Sequence, residues 1–517
     1  MLLPHDFEKE MRPVLGDERY GRLAAALTED ESPVSVRLNP FKINVSSIAV
    51  PDADGKVPWC SLGRYLSSRP AFTFDPLLHA GTYYVQEASS MFLAEVLRRR
   101  VSSPVLMLDL CAAPGGKSTV ARSVLPAGSV VVSNEPDAKR ASVLVENVRK
   151  FGHPDTVVTR ALPADYRRSG LVFDVVLTDV PCSGEGMFRK DSGAADEWSL
   201  SNVARCRQLQ RTIVADAWHC LRPGGLLVYS TCTFNTAEDE ENVEWICEEL
   251  GAEPLSMDMP AEWGVSGAVT GNLPVFRFFP GRTRGEGLFM AVLRKPGEAG
   301  SALSAMMGEE RRIKSAKHKK NSHTGADRQL TELCERWLVR NFKDKEVENE
   351  SLQSTFVSEG DDTARRQNKE KFVSSSQETE GWALRQHDDE WWAVPRRWAP
   401  LYDRASFSLH LLHAGVPLGV QRGRDFVPHA ALPLSLGLRR DGFPEVNLTW
   451  DEAMTYLRRE AVSLPADTPR GFVVVSYEGF PLGFEKNMGN RANNLYPAEW
   501  RIRSSHLPAE PVVVLRP

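Results

Sequence analysis

Two cysteines, each placed where a buried strand gives way to a loop, carry the strongest chemical signal in this chain. Cys182 lies in DVPCSGEG (Asp179 to Gly186) and Cys232 in STCTF (Ser230 to Phe234). Each follows an apolar run, FDVVLTDVP and LLVYSTCTF, of the kind that forms a parallel strand buried on both faces. Both thiols therefore belong to one sheet edge. A lone cysteine is as often an inert core residue. Here Asp179 stands just before Cys182 and a flexible Ser-Gly-Glu-Gly loop follows it, neighbours that a packing cysteine does not need. A thiolate in such a place is a nucleophile, if the site favours ionisation of a group whose unperturbed pKa is about 8.5. Methylation at carbon 5 of cytosine is a reaction that needs one. Thiolate addition to carbon 6 makes carbon 5 nucleophilic, the methyl group is transferred, a base removes the carbon 5 proton and the thiolate leaves. An acid such as Asp179 at N3 of the ring would stabilise the adduct, and the base must first be unstacked.

A second constellation is LDLCAAPGGKST, Leu108 to Thr119. A short apolar strand ends at Leu110 and a turn of small residues follows. Gly115 and Gly116 let the backbone approach a ligand, and the next helix N-terminus offers unpaired N–H groups. The segment is neither GxxxxGK[ST] nor GxGxxG, which weakens the phosphate and dinucleotide readings. Glu135 ends the next strand in VVVSNEP, where an acid can accept hydrogen bonds from ribose hydroxyls. A nucleoside cofactor follows.

Strands and helices alternate from about 105 to 295, which predicts an α/β domain with a doubly wound, mostly parallel sheet. AKRASVLVENVRKFG predicts a helix closing on Gly152, and SNVARCRQLQRTIVADAWHCLRPGG one stopped by Pro223-Gly224-Gly225. TAEDEENVEWICEEL predicts a helix whose leading acids suit the positive end of its dipole. Before this domain, residues 6–30 read as helical and Ser35 to Val45 as a strand. Residues 299–382 read as polar linker with one helix near LTELCERWLVRNF, and aromatics return beyond it. The expected division is an N-terminal RNA-binding-like extension over 1–85, the central domain over 86–298, the linker over 299–382 and a small β-rich unit over 383–517.

The chain has 517 residues, 42% of them hydrophobic and 25% charged, with a net charge of -5, so no global basic character announces a nucleic-acid partner. The eight cysteines show neither zinc-ligand nor disulfide-framework spacing, and no metal is expected. No apolar run has the length of a signal or a membrane span. A cytoplasmic protein is the expectation.

The ordered set SVRLNP, GTYYVQEASSM, LDLCAAPGGKST, NEPDAKR, DVVLTDVPCSGEGMFRKD, LRPGGLLVYSTCTFNTAEDEENV and GEGLFMAVLRK, within residues 1–298, resembles the RNA 5-methylcytosine methyltransferases of the Nop/Sun superfamily. The resemblance implies a Rossmann-like class I fold and S-adenosylmethionine as cofactor. It makes Cys232 the nucleophile, whereas Cys182 assists release of the product; DNA cytosine methyltransferases use the cysteine in the latter position instead. It implies that Cys111, Ala112, Ala113, Pro114, Gly115, Gly116, Lys117, Glu135 and Asp179 hold the cofactor, and adds Asp165 as a cofactor contact and Lys190 as a substrate contact. The C-terminal YEGFPLGFEKNMGNRANNLYPAEWRIR resembles the PUA-like RNA-binding extension of the RsmF-type branch, which implies small-subunit ribosomal RNA as substrate and a monomer. Relatives often carry Pro-His before the GEG segment, and here Phe279-Pro280-Gly281 stands there.

Cations interleaved with aromatics make Lys486, Arg491, Arg501 and Arg503 candidate RNA contacts. Most of the aromatics among them, Tyr477, Phe480, Phe484, Tyr496 and Trp500, are expected to be core. The basic run from Arg311 to Lys320 reads equally as phosphate contact or solvated charge. Rival functions are the same chemistry on transfer RNA, or a non-catalytic RNA-binding ribosome-assembly factor. A nicotinamide oxidoreductase would need the GxGxxG that the chain lacks.

Overall fold

The computed structural model describes residues 3–307, 325–340, 381–423, 425–504 and 506–516. Two helices open it, α1 (His5–Leu15) and α2 (Asp17–Thr28), parted at Gly16. Their apolar positions Phe7, Met11, Leu15, Tyr20, Leu23 and Leu27 are all buried, against Phe188, Trp198 and Phe234. These helices thus brace the loop after Cys182. Strands β1 (Val34–Leu38), β2 (Ala53–Lys56), β3 (Gly63–Leu66) and β4 (Tyr83–Val85) form an antiparallel sheet in the order β2-β3-β1-β4. The strand expected to reach Val45 stops at Leu38. Asn39 turns the chain: its side chain accepts from Phe41 N and donates to the carbonyls of Gly81 and Phe151. Pro40 then has no N–H for a ladder. Helices α3 (Pro76–His79) and α4 (Phe92–Arg100) complete this region.

The central domain alternates as expected: β5 (Leu106–Asp109), α5 (Gly116–Val124), β6 (Val130–Asn134), α6 (Ala138–Phe151), β7 (Thr156–Arg160), α7 (Pro163–Ser169) and β8 (Phe173–Asp179). It continues with α8 (Ser192–Glu197), α9 (Leu200–Cys220), β9 (Leu221–Thr231), α10 (Glu240–Leu250), β10 (Glu253–Pro254), β11 (Val275–Phe278) and β12 (Leu288–Arg294). The parallel run is β7-β6-β5-β8-β9, and β12 adds antiparallel to β9. Leu106, Met107, Leu108, Val130, Val131, Val157, Val176 and Leu177 lie under helices on both faces and are essentially inaccessible. The strand order reverses between β5 and β8, which opens a crevice at their carboxyl ends. Asn134 ties that edge together, donating to Leu110 O and Ala161 O and accepting from Ala161 N and Thr159 Oγ1. The long helix α9 ends at Cys220, before the Pro-Gly-Gly expected to stop it, because Leu221 already pairs with Phe173 and the Arg222–Gly225 stretch bulges out of register.

Within the stretch expected as linker, 302–307 is helical and α11 (Gly325–Trp337) buries Leu330, Cys334 and Trp337 in a C-terminal cluster. The run Arg311 to Lys320 lies outside the described residues. Beyond it come β13 (Trp382–His387), β14 (Glu390–Pro395), α12 (Ala399–Ser408), β15 (His410–Ala414), β16 (Val416–Arg422) and β17 (Asp425–Pro428). The last part holds β18 (Glu445–Leu448), α13 (Trp450–Leu457), β19 (Gly471–Tyr477), β20 (Phe480–Asn487) and β21 (Ala492–Asn494). Strands β13-β14-β16-β17 and β18-β19-β20-β21 form two small sheets. Strand β15 instead leaves this region and pairs antiparallel with β7, extending the central sheet to nine strands among the described residues. The buried Asp155 before β7 pairs with Arg397 and accepts from Trp398 Nε1 at 2.9 Å.

This pairing covers an edge that would otherwise present unpaired backbone and the buried Val157 and Val158. A chain ending at residue 307 is therefore expected to aggregate or to melt well below the full chain. Size-exclusion chromatography and thermal unfolding check this, and a monomeric fragment with an unchanged Tm would contradict it.

Candidate active site

The carboxyl ends of β8 and β9 bring the two cysteines together: Cys182 Sγ lies 3.2 Å from Cys232 Sγ. Neither is fully buried, so a ligand in the crevice can reach the pair. The shared hydrogen bond with Cys232, and then burial, push the Cys182 thiol well above its ordinary pKa. Asp179, at the end of β8, has both oxygens engaged: Lys117 Nζ donates to Oδ2 at 2.9 Å and Ser230 Oγ to Oδ1 at 2.7 Å. Burial opposes the charge on Lys117, but Asp179 outweighs it and leaves the ammonium pKa raised. The ion pair thus links the Cys111–Lys117 turn to the strand that carries Cys182.

That turn caps α5 with Gly115 at φ 112°, a left-handed conformation that glycine adopts without strain. Burial, and then the nearby Asp109 and Asp179, raise the Cys111 thiol. Glu135, after β6, is 1% exposed. Its Oε1 accepts from Asp137 N, and its Oε2 has no hydrogen bond, with Arg140 Nη2 at 3.3 Å. Asp165 sits in the first turn of α7, accepts from Leu162 N at 2.9 Å and pairs with Arg168. Both of its oxygens are thus engaged within α7. Lys190 reaches to 3.7 Å from Glu286 and stays partly exposed, beside the buried Arg189–Glu286 pair.

The four C-terminal cations lie in the β18–β21 unit and not among these residues. Arg491, Arg501 and Arg503 are exposed, and Lys486 Nζ stands 5.2 Å from the Phe472 ring centre. Phe484, Tyr496 and Trp500 are core, as expected.

The Ser-Gly-Glu-Gly loop after Cys182 is not flexible. Glu185 is fully buried and accepts from Phe234 N, Asn235 N, Asn235 Nδ2 and Trp198 Nε1. Glu238 accepts from Ser183 N, Gln210 Nε2 and Asn235 Nδ2. Arg277 pairs with Asp239 and Glu240 and donates to Phe234 O at 2.9 Å. The acids of TAEDEEN thus hold the Cys232 loop in place in addition to starting α10. A Cβ on Gly186 would come within 2.8 Å of Cys232 O and 3.0 Å of Glu286 O, so only glycine passes there. The sequence reading missed Glu185, Glu238 and Arg277 as parts of the site. Their signal was an acid between two glycines and an arginine inside the apolar strand VFRF.

Asp109, at the end of β5, was also missed. It is fully buried, accepts from Ser118 Oγ at 2.6 Å, and leaves Oδ1 with no partner.

Comparison with known proteins decides the family. The N-terminal domain of 16S rRNA methyltransferase RsmF matches residues 3–88, 16S rRNA methyltransferase RsmB/F matches 100–294, and the methyltransferase RsmF PUA domain matches 443–502. The chain belongs to the RsmB/F methyltransferase family. Ribosomal RNA small subunit methyltransferase F of Erwinia tasmaniensis is 29% identical over 96% of this chain and 97% of its own. The protein of the same name from Pectobacterium atrosepticum is 32% identical over 57% of this chain and 63% of its own. The crystal structure of PH0851 shares the fold at a TM-score of 0.51 and 22% identity, covering 57% of this chain and 66% of that one. In this family member the N-terminal and PUA matches fall on two units that touch each other. Trp450 Nε1 donates to Phe74 O at 3.0 Å, and Tyr496 Oη lies 3.2 Å from His79 Nδ1.

Burial, with added repulsion from Asp179, pushes Asp109 up to about 7 against the hydrogen bond from Ser118. A carboxyl raised in the folded state stabilises the fold below its unfolded pKa, and that contribution is lost as pH rises to the folded value. Urea unfolding from pH 4 to pH 7.5 should show a fall in stability with rising pH, up to roughly 4 kcal/mol from this group. Asp109→Asn should flatten that slope, whatever its baseline; an unchanged slope would contradict the assignment.

Proposed function

We propose that this chain methylates carbon 5 of a cytosine in small-subunit ribosomal RNA, with S-adenosylmethionine as methyl donor and Cys232 as covalent nucleophile. The observation that carries the reading is the contact between the Cys182 and Cys232 sulfurs at the carboxyl ends of adjacent strands, with Asp179 alongside. The substrate class rests on the relatives' names and on the PUA match.

The residues present fit the cofactor. Glu135 Oε2 is a buried oxygen with no hydrogen bond, as a ribose hydroxyl requires, and Gly115 turns the chain tightly before α5 in a left-handed conformation. Residues 111–117 would cradle the methionine part, Glu135 the ribose, and Asp179 with Lys117 the side nearest the cysteines; Asp165 at the head of α7 is the candidate on the adenine side. When bound, S-adenosylmethionine supplies an electrophilic methyl group.

The chain's own groups do the rest. Cys232 as thiolate bonds to carbon 6 of the unstacked base, which turns the ring into a nucleophile at carbon 5. As the sulfur adds, N3 takes a proton from solvent, so no net charge gathers on the ring, and Asp179, fixed by Lys117 and Ser230, accepts a hydrogen bond from that N3–H. After methyl transfer a base takes the carbon 5 proton, and the electron pair of that C–H bond re-forms the ring double bond as the carbon 6–sulfur bond breaks. Cys182, held neutral by its raised pKa and 3.2 Å from the departing sulfur, assists that release. Lys190 and the exposed Arg491, Arg501 and Arg503, with Lys486, are the candidate RNA contacts.

The test is incubation with labelled S-adenosylmethionine and small ribosomal subunits or their RNA, followed by bisulfite mapping. One modified cytosine is expected, lost in Cys232→Ala, with a covalent protein–RNA adduct accumulating in Cys182→Ala. Label in transfer RNA alone would overturn the substrate, and no label in any RNA despite cofactor binding would leave a non-catalytic binding factor.

A further inference from the structure

A cavity of about 230 Å³ opens behind the cofactor turn, between the sheet of β1 and β4 and the helices α5 and α6. None of the residues assigned above to cofactor or base lines it. Its wall includes Arg37, Tyr84, Thr119, Asn147 and Lys150, and no acid lines it. Arg37 is 1% exposed. Its guanidinium donates to Gln86 Oε1, Ser123 Oγ and Thr119 Oγ1, all of them neutral groups. No carboxylate pairs with it among the described residues, and two of its five N–H groups have no hydrogen bond there. Burial lowers its pKa to about 10. Lys42 also adjoins the cavity: it is half-buried, its Nζ donates to the carbonyls of Ala80 and Lys150, and burial lowers its pKa to about 7.

A buried cation without a counter-charge is costly, and an anion in contact with it removes much of that cost. Arg37, without a counter-charge beside a cavity that no acid lines, calls for an anion. The cavity is small for a whole nucleotide but adequate for one phosphate group, whose oxygens match the free guanidinium donors. Tyr84, with Arg37 at 6.0 Å from its ring, adds an aromatic wall. Lys150 at the rim pairs with Glu146 at 2.5 Å and stands 5.4 Å from the ring of Trp500 in the PUA unit.

We infer that this cavity is a phosphate-binding site, with Arg37 as its floor and Lys150 at its rim. The phosphate group comes either from a phosphodiester of the RNA substrate or from free inorganic phosphate. The first source rests on the function proposed above, and the second does not.

The test keeps Arg37 intact, because that side chain also joins the N-terminal sheet to α5. Leu78, half-buried at the cavity wall, is changed to Glu to place a negative charge there and to Gln as a neutral control. Inorganic phosphate is titrated into each full-length protein at constant ionic strength and followed by phosphorus NMR. Wild type and Leu78→Gln should bind phosphate, and Leu78→Glu should not. RNA affinity is measured on the same proteins across a salt series. A loss of roughly tenfold in Leu78→Glu, with the salt dependence shallower by about one phosphate contact, assigns the site to the RNA backbone. Loss of phosphate binding with RNA affinity unchanged assigns it to free phosphate. Absence of phosphate binding in the wild type, or equal binding in Leu78→Glu, overturns the inference, and neither result touches the methylation assay.

Discussion

The carboxylate of Glu185 is the interaction on which the catalytic geometry depends. It is fully buried, and it takes the backbone N–H groups of Phe234 and Asn235 together with the side chains of Asn235 and Trp198. Those donors belong to the loop after β9, whereas Glu185 belongs to the loop after β8. Together with the backbone bond from Gly186 N to Cys232 O at 2.8 Å, this carboxylate clamps the two loops beyond the end of the strands. Hydrogen bonds to a charged acceptor are the strong ones, and removing one partner of such a buried group is correspondingly costly. Glu238 and the Arg277 pairs extend the clamp, so the positions of Cys182 and Cys232 are fixed by a network and not by the strands alone.

The rest of the chain buttresses this crevice. Helices α1 and α2 press Phe7 against Phe188 and Trp198, at ring distances of 5.4 and 5.8 Å, and so hold the loop after Cys182 from outside. The N-terminal sheet grips α5 through Arg37. On the far edge, β15 closes the central sheet, and the PUA unit rests on the N-terminal region through Trp450 and Tyr496. These contacts hold the crevice at the carboxyl ends of β5 and β8, the N-terminal region and the PUA unit at fixed spacing.

Much of this was legible in the residues. The apolar runs marked the parallel strands, and the position of each cysteine just after a strand was enough to place both at one edge. The tight turn before α5 and the acid just after β6 were legible in position, because small residues and an acid at a strand end mark where a buried strand stops. What escaped was everything that depends on long-range pairing. Glu185 reads locally as part of a mobile Gly-rich loop, and only its distant donors at 234 and 235 show that it is rigid. The acids of TAEDEEN read as dipole partners until Arg277 is seen beneath them. The pairing of β15 with β7 joins residues some 250 positions apart in sequence (Ala414 with Val157), a register that no local pattern encodes.

The central claim is that Cys232, and not its neighbour, forms the bond to the base. RNA containing 5-fluorocytidine tests it most directly, because fluorine at carbon 5 cannot leave as a proton does and the adduct is trapped. The protein is incubated with this RNA and cofactor, digested, and the modified peptide sequenced by mass spectrometry. A nucleotide attached to Cys232, in wild type and in Cys182→Ala alike, is the predicted result. An adduct on Cys182, or none on Cys232 while methyl transfer to unmodified RNA proceeds, would contradict the account.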